Sequence, residues 1–280
     1  MERCDPKDLH PPPFVALERL FSASRPLIAM IHLPPLPGSP GWRGSMAAIL
    51  DRVEEDARSF EAGGLDGLLV ENYGDAPFFP GPVPPETVAA LSLAVDRARK
   101  AVSLPVGVNV LRNDARSALA VAAVTGAAFI RVNVHTGTMF TDQGMLEGKA
   151  HETLRTRRAL GPEVAVCADV LVKHASPPPG VTSEEVARDL RERGRADVLI
   201  VSGSGTGRSP DPDRIRRVKA SVPDAPIWIG SGLDSNSAPD LLPLADGAIV
   251  GSALQRDGQA GAGADPVRIR RFMEEVAPLR

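Results

Sequence analysis

Five polar residues in this 280-residue chain stand where short apolar runs end. His32 follows Leu27–Ile31, Glu71 follows Gly67–Val70, and Asn109 is the last residue but one of the run 106–110. Asn133 follows Phe129–Val132, and Asp169 follows 164–168. Imidazole, amide and carboxylate groups in largely buried positions cost stability unless they are paired or used. Together they point to a ligand or a metal. Glu71 and Asp169 have the chemistry of a general acid and base, and Asn109, Asn133, Lys173 and His174 could orient and polarise a substrate. Arg112 and Asp114, just past the third run, are suited to binding it. Taken singly, any of these could instead cap the next helix or pair with a neighbour.

Lys173 also invites a Schiff-base reading, because desolvated lysines are nucleophilic. Its place in a loop a few residues past the fifth run favours a substrate-clamping cation instead. Glu71, Asp169 and a histidine could in principle hold a divalent metal. No HxH, HExxH or CxxC spacing supports this, and no cofactor is expected.

The final third carries a different signal. The sixth run leads into Ser202-Gly203-Ser204-Gly205-Thr206-Gly207, the seventh into Gly230-Ser231-Gly232 and the eighth into Gly251-Ser252. Small residues let backbone N–H groups approach an anion, and a helix N-terminus adds a favourable dipole. Tight turns need glycine too, but three such loops in succession favour a phosphate cup. Gly203, Ser204, Gly205, Gly230, Ser231, Gly232, Gly251 and Ser252 are its candidate residues.

These groups need elements to position them. Three further runs, Val198–Val201, Ile227–Ile229 and 248–250, bring the total to eight, each followed by an amphipathic stretch. That repetition predicts a single (β/α)8 TIM barrel, in which chemistry sits at the carboxyl ends of the strands. Near-continuous apolar runs fit parallel strands buried on both faces. Ser45 and Ser183 read as N-caps and Pro84 or Pro85 as a first-turn residue. Gly63-Gly64, Gly126, Gly161 and Gly194 read as left-handed caps. A helix is expected over 234–245. Residues 1–12 read as a flexible arm and 13–280 as the barrel domain, with Phe14, Leu17 and Leu20-Phe21 spaced for an N-terminal helix capping its bottom.

Composition narrows the function classes. The net charge of −3 and the absence of a basic block leave no nucleic-acid footprint. The apolar runs stop well short of the roughly 18 residues a membrane span needs. The proline-rich start lacks a secretory core, and two cysteines make no disulfide framework, so a cytoplasmic protein is expected. The stretch 138–149 reads as a long loop suited to a lid. Apolar loops around Trp42 and Phe78-Phe79 could wall the pocket or join copies into a homo-oligomer.

Several long strings resemble the BtpA family. They are MIHLPPLPGSP at 30–40, GVNVLRND at 107–114, RVNVHTGTMFTDQGMLEGK at 131–149 and DVLVKHA at 169–175, with 229–232 and 246–252 extending the match. The resemblance implies a phosphate-binding TIM barrel. It also implies an association with photosystem I biogenesis, after which the family is named, although archaeal relatives occur without photosynthesis. It supplies no settled mechanism. The combined expectation is an enzyme acting on a small phosphorylated metabolite, such as a sugar phosphate or nucleotide-like phosphate, by isomerase- or lyase-type chemistry. A non-catalytic assembly factor is the alternative, and a metal-dependent hydrolase a weaker one.

Overall fold

A computed structural model describes residues 14–161 and 163–280; the expected arm at 1–12 lies outside them. Eight parallel strands close into a barrel: β1 (Leu27–His32), β2 (Gly67–Glu71), β3 (Val106–Asn109), β4 (Phe129–Val132), β7 (Ala165–Val170), β9 (Val198–Val201), β10 (Ile227–Ile229) and β11 (Gly247–Val250). Between them run α1 (Met46–Ala62), α2 (Pro85–Ala101), α3 (Ala115–Thr125), α4 (Ala150–Leu160), α5 (Ser183–Arg188), α6 (Pro212–Ser221), α7 (Ala238–Leu241) and α8 (Pro266–Val276). The expected TIM barrel is the fold. No helix among the described residues is long and apolar enough to cross a membrane.

Strand parity sorts the side chains. Outward positions such as Leu27, Ala29 and Ile31 join the large apolar layer under the helices. Inward positions build the barrel interior in tiers. Its floor is an edge-to-face cluster of Phe21, Phe129 and Trp228, with ring centroids 5.7–6.3 Å apart. Small residues make room for these rings. A Cβ on Gly107 would meet Phe129 at 2.3 Å, and one on Gly247 would meet Trp228 at 2.7 Å. Above the floor the inward positions turn polar, so the strand ends carry the ring.

Several local expectations change. The N-terminal cap is one 3-10 turn, Leu17–Arg19, with Phe21 as its plug, whereas Phe14 lies under the guanidiniums of Arg191 and Arg195. Ser45 caps α1 as expected, but α5 is capped by Thr182 in a box with Glu185, and Ser183 is its first helical residue. Gly126 is a left-handed cap (φ 74°), while Gly161 (φ −160°) and Gly194 (φ −76°) are not. The helix expected over 234–245 shrinks to α7 and a 3-10 turn. There the Asp234 carboxylate takes the N–H groups of Asn236 and Ser237, and prolines sit at 239 and 243. The supposed loop over 138–149 is a hairpin, β5 (Thr138–Thr141) with β6 (Gly144–Glu147). It is completed by β8 (Ala175–Ser176) into a small antiparallel sheet beside the mouth.

Candidate active site

The barrel register brings the polar strand ends together. His32 pairs with Glu71, Glu71 with Asn109 and Asn109 with Arg131 along adjacent strands. His32, Glu71, Asn109, Asn133 and Asp169 are all buried, each at most 5% exposed, so the five expected residues do form an inward ring. Arg131 joins them from the middle of β4. It has the inward parity of Phe129 and Asn133, which was the available sequence signal for it.

Asp169 was expected to share proton chemistry with Glu71, but its oxygens are already engaged. Arg131 donates to it through Nε at 3.0 Å and Nη2 at 2.8 Å, Asn133 Nδ2 at 2.9 Å and Ser202 Oγ at 3.4 Å. A buried carboxylate with this many donors is an anchor for Arg131 rather than a free base. The network also orients the amides. Asn133 gives its Nδ2 to Asp169, so its Oδ1 accepts from Asn109 Nδ2 at 3.3 Å. Asn109 Nδ2 further donates to the Arg131 carbonyl at 3.1 Å. The buried Asn109 Oδ1 is left without a partner.

The other half of the ring is looser. His32 Nε2 lies 3.9 Å from Glu71 Oε1, and its ring leans on Tyr73 with centroids 4.5 Å apart. Gln255, from the segment after β11, fixes the tautomer. Its Oε1 accepts from the Gly261 N–H at 2.7 Å, so its Nε2 is the donor to Met30 O at 3.1 Å and to His32 Nδ1 at 2.8 Å. The His32 proton is thereby assigned to Nε2, facing Glu71. Burial lowers the His32 pKa against the pull of Glu71, keeping the ring neutral. Sequence reading missed Gln255, because it lies far along the chain with no motif around it.

Loops after β3 and β7 close the mouth. Arg112 is buried and donates to the Lys173 carbonyl at 2.7 Å. Arg214, from α6, donates to Val170 O at 2.5 Å and Ser202 O at 3.1 Å, pinning the ends of β7 and β9. His174 Nε2 accepts from the Thr206 N–H at 3.3 Å and lies outside the ring. Asp114 is elsewhere employed, contrary to its expected binding role. Its Oδ1 caps α3 through Ser117 N at 2.9 Å, and its Oδ2 accepts from Val83 N at 2.9 Å. His135, beside the ring in sequence, faces away and bonds the Gly194 carbonyl at 2.8 Å.

The glycine loops converge, although several of their glycines serve packing. A Cβ on Gly203 would meet Arg208 O at 2.0 Å, one on Gly232 the Arg208 carbonyl carbon at 2.2 Å, and one on Gly230 Ile200 at 2.3 Å. Gly203 and Gly232 are required by close backbone approach, and Gly230 by the side chains of Ile200 and Ser202 packed against it. Ser231 is also tied to the same loop, its Oγ donating to Arg208 O at 3.4 Å. Ser204 and Gly205 belong to this loop, Ser204 O accepting from the His174 N–H at 3.4 Å. Gly251 lies against His32, where a Cβ would come to 3.2 Å of Cε1. It opens a 3-10 turn, Ser252–Leu254, and the N–H groups of Gly232, Ser252 and Ala253 have no acceptor among the described residues. Beside the ring, a cavity of about 680 Å³ reaches Asn133 and Asp169 between the hairpin and α5. Among the described residues no group of three or more His, Cys, Asp or Glu could hold a metal ion.

A closed eight-stranded β/α barrel with a buried polar mouth defines the class. Similar folds include solved structures titled native KDPGal (TM-score 0.56, 15% identity, 92% of this chain and 95% of that one) and phosphoribosyl anthranilate isomerase from Thermus thermophilus (TM-score 0.57, 13%, 91% and 100%). Within that class the chain belongs to the BtpA family, whose model matches residues 23–278. It is 47% identical over 263 residues to the photosystem I biogenesis protein BtpA of a Synechocystis species, covering 93% of this chain and 91% of that protein. It is 43% identical over 256 residues to an uncharacterized protein of Thermococcus kodakarensis (91% and 97%), and 35% identical over 275 residues to an uncharacterized mitochondrial protein of Caenorhabditis elegans (95% and 98%).

Proposed function

We propose that this chain is an enzyme that binds a small phosphorylated metabolite at the barrel mouth and carries out acid/base isomerase- or lyase-type chemistry. The observation that carries this reading is the buried His32–Glu71 pair against Gly251, together with the N–H groups of Gly232, Ser252 and Ala253 that lack an acceptor among the described residues. Glu71 is the base. The neutral His32, with its proton on Nε2, is the acid or electrophile toward a substrate oxygen. Asp169 and Asn133 position Arg131 and Asn109, which polarise the substrate. The three N–H groups and the Ser252 hydroxyl hold the phosphate, because fixed backbone dipoles at a turn start favour an anion. His174 and Arg112 shape the loop that carries Lys173. The protein is cytoplasmic in this proposal, needs no cofactor, and forms a homo-oligomer through apolar loops that include the half-exposed Phe79.

Thermal unfolding against inorganic phosphate, sugar phosphates, nucleotides and divalent cations tests the reading. A ligand that binds only the folded state raises its stability by RT ln(1 + [L]/Kd). A saturable rise with one phosphorylated class, lost in Ser252→Asp, is the expected result. A flat response to every anion would sink it. One observation favours a second reading, a non-catalytic assembly factor: the Synechocystis relative is named for photosystem I biogenesis. That reading predicts the flat response and tolerance of Glu71→Gln. A hydrolase reading finds no ligand set among the described residues.

A further inference from the structure

The Lys173 ammonium is an unused cation in the mouth. No carboxylate lies within ion-pair distance of it among the described residues, and it donates no hydrogen bond there. Its charge is nonetheless felt by His32 on β1, and it feels Glu71 on β2, Arg131 on β4 and Asp169 on β7. Its backbone sits on the loop that follows β7, at the same end of the barrel as the ring, with its carbonyl accepting from Arg112. The loop is built to hold it there. Arg214 takes the carbonyl of Val170, Arg112 that of Lys173 itself, and the flanking Leu171 and His174 are both left-handed at φ 56°. Non-glycine residues adopt that conformation only where the surroundings enforce it. A clamp for a substrate anion needs no such isolation from carboxylates, since the neighbouring Arg112 and Arg131 already supply fixed positive charge.

Asn109 Oδ1 is a second open valence. It is buried, unpartnered and locked in orientation by the Asp169–Asn133–Asn109 chain, so it is complementary to a donor such as a hydroxyl. We infer that Lys173 is a nucleophilic amine that forms an iminium with the carbonyl carbon of a phosphorylated hydroxy-aldehyde or hydroxy-ketone, while Asn109 Oδ1 accepts from a substrate hydroxyl. This rests on the reading that a phosphorylated metabolite binds at the mouth. The Nζ–C bond forms and the C=O bond breaks. Two of the three ammonium protons, relayed by Glu71 and His32, leave on the carbonyl oxygen as water, and the third stays on the iminium nitrogen. No electron carrier is required. The iminium then draws electrons from the adjacent carbon, from which Glu71 removes a proton or across which a carbon–carbon bond opens. Burial and the guanidinium of Arg131 push the Lys173 pKa down, enlarging the reactive amine fraction.

The test is reductive trapping. The protein is mixed with dihydroxyacetone phosphate or glyceraldehyde 3-phosphate, reduced with sodium borohydride, and mapped by peptide mass spectrometry. Most of the secondary-amine adduct is expected on Lys173, with little on Lys100, Lys149 or Lys219. Lys173→Arg should abolish it while keeping the thermal shift with inorganic phosphate, and the trapping pattern in the unsubstituted chain decides the matter even if that variant does not fold. Adduct spread over the other lysines, or none, overturns the inference. If dihydroxyacetone phosphate still raises the melting temperature, the phosphorylated-metabolite reading survives that failure; if it does not, both fall.

Discussion

The two halves of the polar ring solve the burial of charge in opposite ways. On β4 and β7, Arg131 and Asp169 are a bidentate pair with side chains 2% and 0% exposed, and Asn133 and Ser202 take up remaining acceptor capacity. On β1 and β2, His32 and Glu71 stand 3.9 Å apart, with His32 oriented from behind by Gln255. The saturated half has no free carboxylate to take up a proton; it stiffens the mouth and fixes Arg131 in place. The open half retains groups that can exchange a proton. A buried charge that is fully paired reports on structure, and one left partly open reports on function.

The largest effect that would break this contrast lies in the saturated half. Asp169→Asn or Arg131→Met leaves one buried partner uncompensated and should cost about 3–5 kcal/mol in denaturant unfolding. A cost near zero would mean that the pair is not the anchor described.

Two buried histidines, His32 and His135, extend the comparison to pH. Among the described residues no carboxylate pairs with His135; burial lowers its pKa to about 4 despite the bond to Gly194 O. A folded-state value below the ordinary 6.5 means that the unfolded chain takes up the proton first. The stability held above pH 6.5 is then lost as the pH falls toward 4, on the order of 3 kcal/mol. Burial lowers His32 in the same direction, partly offset by Glu71. Urea unfolding at pH 7 and pH 4.5 should show the loss, with a flatter profile in His135→Gln; an unchanged slope would contradict the assignment.

Gln255→Ala removes the group that sets the His32 tautomer and strands a buried acceptor. It should cost about 1–3 kcal/mol. Nitrogen-15 spectra of the imidazoles should show His32 protonated at Nε2 in the unsubstituted protein and a mixed population in the variant. A proton on Nδ1 at the outset would refute the orientation argued from Gly261.

The smallest stability effect belongs to the open half. Glu71→Gln should change unfolding free energy by less than about 1 kcal/mol, since no strong pair is lost, yet lower turnover of the trapped substrate class by about 10²–10⁴-fold. A large destabilisation with intact turnover would reverse the contrast between the halves.

The barrel was legible because its signal is local. Each buried parallel strand is a short apolar run, and each polar strand end is visible where the run stops. Parity could have added Arg131, which falls on the inward face with Phe129 and Asn133. The misread elements were those where side chains compete with the backbone or where pairing is antiparallel. Asp234 shortens a helix by capping a turn, and the Thr138–Thr141 strand reads as a loop because only one of its residues is buried. Asp114 was chemically eligible for binding, but Val83 and Ser117 had already claimed its oxygens.

By itself the sequence determined that eight strands would bury their apolar faces and that polar groups would gather at their carboxyl ends, because strand period and hydrophobicity act over a few residues. Only the tertiary structure decided which of those groups are spent and which are free. Gln255 meets His32 across 223 positions, and Arg131 meets Asp169 across 38. Hydrogen-bond saturation depends on partners that closure of the barrel brings together, and no local pattern in the chain encodes them.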